Sequence, residues 1–476
     1  MKKKRKCFEA FIEYIIILLG MLALSACGGE GGSKEGVKDG WISSFVGGEA
    51  NKHAEDTPWN HGMHAMMETE NGYYSSLTTS NYQQRLCLRY YDKETGTTML
   101  LCNKPECQHE GDEACEATYK GIRVINTALY EGAIYVLGAE TWEGTTGIYL
   151  YKAALDGSSI DKVGTVLSAP LPIDESGNPQ EVILKEADAY DEIFQDADYS
   201  FILHKGQAYI PYYLRFGKGM IGFQGAGLMK MDLKTGETKV IYALENANQG
   251  VPGRLVAQGN YVWFRLYRNH KGSRIKRYNI AADEVEDFYA KGFWESAPEE
   301  KVNLLTTILG ENVVYDVSYT IDEKMKPDCI VFPAYDMETG AYLKDQVITT
   351  EKKFRKPENI YFYEGTIFWG DVYGLYAVDV KEGQSHELAF PAEQTGLDLY
   401  RKGADLSLKN VKYVINDGKI YLLFWDGSDA RYMTGGYGHR KRVFTCPLKD
   451  FLANQGAWTE VFTIEGYYVQ DSRFDE

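Results

Sequence analysis

A tyrosine-rich phrase recurs along the chain, and a phrase repeated at a near-constant interval constrains the fold more than any single residue does. Its first half is a Gly, once an Asn, that leads into an alternating aromatic strand. The copies are Gly72-Tyr73-Tyr74, Gly132-Ala133-Ile134-Tyr135, Gly206-Gln207-Ala208-Tyr209, Gly259-Asn260-Tyr261-Val262-Trp263, Asn312-Val313-Val314-Tyr315, Gly365-Thr366-Ile367-Phe368-Trp369, Gly418-Lys419-Ile420-Tyr421 and Gly466-Tyr467-Tyr468. The second half is an acidic turn, as in Asp92-Lys93-Glu94-Thr95-Gly96, Asp232-Leu233-Lys234-Thr235-Gly236 and Asp336-Met337-Glu338-Thr339-Gly340. Looser copies stand at Leu155-Asp156-Gly157 and Val378-Asp379-Val380-Lys381-Glu382-Gly383.

The intervals run from about 48 to about 74 residues, mostly near 50, the length of one four-stranded propeller blade with its loops. Ile420, Leu422 and Phe424 alternate with Tyr421 and Leu423, and this period of two with aromatic enrichment reads as strand. In the turns, an Asp side chain closes the backbone locally and Gly supplies a positive φ, so each Asp-x-x-Thr-Gly marks an outer hairpin. The expected fold is therefore all-β, a single β-propeller of seven blades, with six or eight left open by the longest interval. The last copy, at Gly466, is expected to join the N-terminal part of the ring. A pair of β-sandwiches built from unrelated strands is the competing architecture.

Ahead of the repeats, Lys2-Lys3-Lys4-Arg5-Lys6 precedes an apolar run from Tyr14 to Leu24 and then Leu24-Ser25-Ala26-Cys27-Gly28. A basic head with an apolar run too short to span about 30 Å of hydrocarbon is a secretory signal. Small residues before Cys27 fit a lipoprotein processing site, with Cys27 acylated and made the mature N-terminus. Residues 1–26 are thus read as a signal peptide, 27–62 as the lipidated Cys and a flexible Gly-rich tether, and 63–476 as the propeller domain. The expected location is the extracytoplasmic face of a bacterial cell membrane, lipid-anchored.

Charge narrows the partners. The chain carries a formal charge of −17, and losing residues 1–26, with five Lys or Arg and two acids, leaves −20. So acidic a surface excludes nucleic acid, which needs a basic footprint. The expected state is a monomer.

Cys102-Asn103-Lys104-Pro105-Glu106-Cys107-Gln108-His109, followed by Cys115, gathers three thiols and one imidazole. That is the donor set of a closed tetrahedral zinc site, although without a tight Cys-x-x-Cys knuckle. If Asp92–Gly96 turns its hairpin, Cys87 faces Cys102 across it. Cross-strand neighbours of this kind can form a disulfide in an oxidising compartment, share a structural zinc, or remain thiols, and the sequence leaves all three open. No nucleophile flanked by an orienting base stands out, so no catalytic residue is assigned.

Other segments have weaker chemistry. His53, His61 and His64 close the tether and read as ordinary exposed histidines. Gly222-Phe223-Gln224-Gly225-Ala226-Gly227 imitates a phosphate loop without the strand-to-helix context and reads as an inter-strand loop. His439-Arg440-Lys441-Arg442 is a basic island, either an anion grip or a solvated strand end. The acidic insertion Ala169 to Tyr199 is a candidate lid or calcium-binding arm, with a plain surface loop as the simpler reading.

The Leu24–Gly28 segment, the Tyr-x-Asp-x-x-Thr-Gly hairpins and the Leu101–His109 segment with Cys115 together resemble a group of uncharacterised surface lipoproteins of Gram-positive bacteria. The repeats are similar to the Tyr-Trp-Thr-Asp propellers of lipoprotein receptors and to Tol-type periplasmic propellers, without the Tyr-Trp-Thr-Asp sequence itself. The resemblance implies a propeller at the cell surface, and that group has no settled activity. Two function classes remain. One is a non-catalytic binding or scaffold module for a glycan, peptide or surface protein, which the 36 Tyr favour as stacking and contact groups. The other is an extracellular polysaccharide hydrolase or lyase, since two carboxylates suffice for glycoside chemistry.

Overall fold

The computed structural model describes residues 66–75, 88–107, 117, 123–142, 145–167, 180–183, 201–216, 223–244, 251–267, 274–288, 302–321, 327–350, 358–370, 375–383, 385–388, 411–416, 418–426, 440–453 and 455–464. By proximity of Cα atoms the chain divides into Met1–Trp41 and Ile42–Glu476, and every described residue belongs to the second unit. The segments read as signal peptide and tether lie outside the described residues.

Seven separate antiparallel sheets follow one another along the chain, so the protein is a seven-bladed β-propeller. The blades occupy residues 66–100, 123–167, 180–244, 251–287, 302–349, 358–388 and 411–464 and are numbered 1 to 7 in that order. Within each blade four main strands pair in chain order, with one extra short strand beside the second strand in blades 3 and 5. First strands of successive blades touch one another from blade 2 through blade 7, which places them around the axis and the fourth strands at the rim.

Both halves of the recurring phrase have a physical reason. The aromatic half is the second strand, entered through a tight hairpin from the first. Glu131-Gly132, Lys205-Gly206 and Glu364-Gly365 each have positive φ at both positions, the geometry of a type I′ turn. Three residues after the second turn residue comes a buried aromatic ring in every blade: Tyr74, Tyr135, Tyr209, Trp263, Tyr315, Phe368 and Tyr421. Each faces an apolar first-strand residue in the same register, from Met67↔Tyr74 and Ala128↔Tyr135 to Val414↔Tyr421. The ring fills the gap between neighbouring sheets, and that is why the phrase repeats.

The acidic half joins third and fourth strands. Asp92 accepts from Thr95 N at 2.7 Å, Asp232 from Thr235 N at 2.8 Å and Asp336 from Thr339 N at 2.7 Å. The terminal Gly of each turn donates back to the Asp carbonyl and has positive φ. Blade 4 makes the same turn with Asn279, whose side chain accepts from Ala281 N and Ala282 N.

Three expectations are amended. Blade 1 already has four consecutive strands of its own, while Gly466 lies outside the described residues. Part of the acidic insertion is a strand, Gln180–Ile183, which pairs with Tyr213 to Phe216 of blade 3. The glycine-rich run read as a loop is instead the start of strand Phe223–Asp232. There Gly227 lets the Tyr212 ring lie against the backbone, where a Cβ would collide with it.

Candidate functional site

Antiparallel order sends the first-to-second and third-to-fourth strand connections of every blade to one end of the ring, the latter a short helix, Leu448–Leu452, in blade 7. The connections from second to third strand, and from each blade to the next, meet at the opposite end. The segments singled out in the sequence enter and leave at that second end: Cys87 precedes the third strand of blade 1, Cys102 and Cys107 follow its fourth strand at Leu100, the acidic insertion runs from blade 2 into blade 3, and His439 precedes strand Arg440–Pro447. This end is the candidate ligand face, as loops emerging from one end of a rigid scaffold commonly are.

The hairpin register of blade 1 pairs Arg89 with Leu100, Tyr90 with Met99 and Tyr91 with Thr98. Leu101 N also donates to Leu88 O, which carries the same register on. Beyond it the ladder ends: Leu88 N donates to Ala117 O and Cys102 N to Leu100 O, and Cys87, His109 and Cys115 lie outside the described residues. Cys102 is buried against Ala117, with Leu100 and Cys107 beside it. Cys102, Cys107, Cys329 and Cys446 carry free thiols. Among the described residues no three His, Cys, Asp or Glu side chains converge as a metal site.

The basic island is partly neutralised. Arg442 donates to both carboxylate oxygens of Glu460, at 3.1 and 2.7 Å, and its guanidinium lies over the Phe444 ring. His53, His61 and His64 lie outside the described residues.

Five acidic or basic side chains (Asp, Glu, His or Arg) are buried among the described residues: Glu68, His204, Arg265, Arg277 and Asp316. Each is tied to a neighbouring blade. Arg265 of blade 4 is paired with Asp316 of blade 5 and reaches Thr307 Oγ1 at 3.3 Å, with both ions fully buried. Arg277 donates to Met337 O at 2.7 Å and Glu338 O at 2.8 Å, gripping the acidic turn of blade 5, while Glu286 of its own blade accepts at 2.6 Å. His204 Nε2 donates to Gly259 O of blade 4 at 2.7 Å. Glu68 of blade 1 accepts from Lys419 of blade 7 at 2.5 Å, from its own blade's Lys93 at 2.8 Å and from Tyr421.

Burial alone would raise the Glu68 carboxyl, but Lys419, Lys93 and Tyr421 outweigh it and hold the group below the ordinary glutamate value of 4.5. Desolvation, with the Glu68 charge added, pushes the Tyr421 phenol far above the usual tyrosine range, so it stays a donor. At the rim, Asp283 of blade 4 accepts from Lys230 and Lys239 of blade 3 and from Tyr278. Those partners hold its carboxyl well below the usual range. Neither the buried seam groups nor this cluster could have been found from the repeat, since their partners lie in other blades.

No family model matches the chain, and no curated protein is similar to it. Among solved structures it is similar to an oligogalacturonate lyase in complex with manganese, at 12% identity and a TM-score of 0.41 over 76% of this chain and 82% of that one. It is also similar to a prolyl endopeptidase, at 9% identity and a TM-score of 0.46, spanning 86% of this chain but only half of the enzyme. TolB from Acinetobacter baumannii matches at 13% identity and a TM-score of 0.30 over 85% of this chain and 79% of that one. The likeness is one of fold alone, across proteins of different activities.

Proposed function

We propose that the protein is a surface lipoprotein, of the kind the Gram-positive resemblance implies, held on the outer face of the cell membrane by acyl chains on Cys27. Its propeller serves as a non-catalytic binding or scaffold module for a glycan, a peptide or a protein partner. The observation that carries this reading is the use of the buried charge. All five buried Asp, Glu, His and Arg side chains of the described residues join one blade to the next, whereas a general acid or base must be positioned to exchange a proton with a substrate. Such a ring is a rigid frame for presenting loops, and an acidic net charge of −17 keeps it soluble and clear of polyanions.

The test is incubation of the purified protein with a panel of cell-wall, host and plant polysaccharides, read by mass spectrometry for retained ligand and for new fragments. Saturable retention without fragments is the expected result. Fragments would overturn the binding reading in favour of a hydrolase or lyase, and retention of peptides or surface proteins instead of glycans would assign the partner class. Anchoring is checked separately: Cys27→Ala releases the protein from membranes, and undiminished membrane retention would rule the lipid out.

A further inference from the structure

Blade 1 departs from the other six at two positions that meet in space. Glu68 lies opposite Tyr73, one pair before the turn-closing position. The same register position holds Leu129, Leu203, Ala257, Leu309, Phe362 and Ile415 in blades 2 to 7. Lys93 follows the turn Asp and its N–H donates to Asn71 O; the residues making the matching backbone bond in blades 3 to 7 are Leu233, Ile280, Met337, Val380 and Leu448. Two places that are otherwise apolar are thus an ion pair here.

They stand on the seam between blades 7 and 1. At every other seam the fourth strand of one blade runs on through the chain into the next blade, so separation has to stretch a covalent connection. Blades 7 and 1 are the two ends of the described chain and are joined by side chains. Tyr73 packs into the apolar cluster of blades 6 and 7, with its ring edge-on to Tyr421 at 6.3 Å. Glu68 gathers Lys419 and Tyr421 from across the seam.

We propose that the ring opens along the seam between blades 7 and 1, and that Glu68 is the latch that holds it shut. The groups facing this carboxylate are Lys93 and Tyr73 from its own blade and Lys419 and Tyr421 from blade 7. Neutralising Glu68 leaves two ammonium groups facing each other around a desolvated site with no anion between them. Because the folded carboxyl lies below its ordinary value of 4.5, the latch contributes fully above that pH and is lost as pH falls through the lower folded value.

The test is native-state hydrogen exchange on the full chain, corrected for intrinsic pH dependence. In the wild type at neutral pH, segments 66–75 and 418–426 are expected to be as protected as 261–267 and 313–321 on the seam between blades 4 and 5. Glu68→Gln should raise exchange in the first two by about tenfold or more and leave the last two unchanged, the signature of sub-global opening. Lys419→Met, which removes one cation and keeps the carboxylate, should move the acid midpoint of seam opening to higher pH. An even rise across both seams, wild-type exchange in Glu68→Gln, or an unmoved midpoint in Lys419→Met would overturn the proposal. If Glu68→Gln does not fold, the Lys419→Met midpoint decides alone.

Discussion

Tyr421 donates a hydrogen bond to Glu68 across 353 residues of sequence. That one contact joins the second strand of the last blade to the first strand of the first. Tyr421 is at the position where all seven blades place an aromatic ring, and what is particular to this seam is the carboxylate its phenol meets. Tyr421→Phe keeps the ring and removes the donor, and should cost about 1–3 kcal/mol in chemical denaturation, as expected when a buried charged acceptor loses a partner. An unchanged midpoint would mean that Lys93 and Lys419 already satisfy the carboxylate.

Arg265 and Asp316 form an ion pair across the seam between blades 4 and 5. Both are fully buried, so truncating one strands the other. Asp316→Ala or Arg265→Met should each destabilise by about 3–5 kcal/mol, whereas Arg265→Met with Asp316→Leu should recover most of that loss. A double-mutant cycle measures the difference. Strict additivity would show that the pair is not coupled.

Glycine substitutions separate local strain from blade docking. Gly236 and Gly383 both have positive φ, +73° and +67°. A Cβ at Gly383 meets nothing within 4 Å, while at Gly236 it collides with the Val163 carbonyl of blade 2. Gly383→Ala should cost about 1 kcal/mol, the left-handed penalty alone. Gly236→Ala should cost clearly more, because the turn must lift from the neighbouring blade. Equal thermal shifts in the two variants would contradict the docking role.

Acid should weaken the turns together. Thr339 Oγ1 and its backbone N–H hold the Asp336 carboxyl below its ordinary 3.8, and Thr95 N and Thr235 N do the same for Asp92 and Asp232. A depressed carboxyl stabilises the fold above the unfolded value and loses that contribution as pH falls through the folded one. These groups are only half-buried, so each effect is small and screened by salt. Melting temperatures between pH 6 and pH 3 should fall for the wild type, and fall less steeply for Asp336→Asn. Parallel curves would remove Asp336 from the acid response.

The register of the first hairpin also makes a chemical prediction. Cys87 and Cys102, the pair the sequence sets opposite one another across this hairpin, are proposed to cross-link in an oxidising compartment, although Cys102 is a free thiol in the described fold. Intact mass should fall by two hydrogens per bridge and return on reduction. Stoichiometric zinc would instead assign a shared metal, and two alkylatable thiols without metal would exclude both.

Much of this fold was legible because its repeat is local. A hairpin between first and second strands, and an Asp-headed turn between third and fourth, are each decided within a few residues, and the register of Tyr90 against Met99 follows from Asp92–Gly96. Blade 4 hid its turn because Asn279 does the work of Asp with the same side-chain oxygen. The strand Gln180–Ile183 hid inside an acidic stretch, since its pairing partner Tyr213 to Phe216 lies beyond the insertion. The candidate ligand face was legible only as scattered motifs; antiparallel strand order brings their flanking strand ends to one side.

By itself, the sequence determined the blade: its period, its aromatic second strand and most of its turns, while the closing count of seven came from the sheets. Tertiary structure decided the seams. Glu68 with Tyr421, Arg265 with Asp316 and His204 with Gly259 are partners only once seven sheets close around an axis. An alternating strand pattern states that a residue is buried, and it carries no information about which neighbouring sheet buries it.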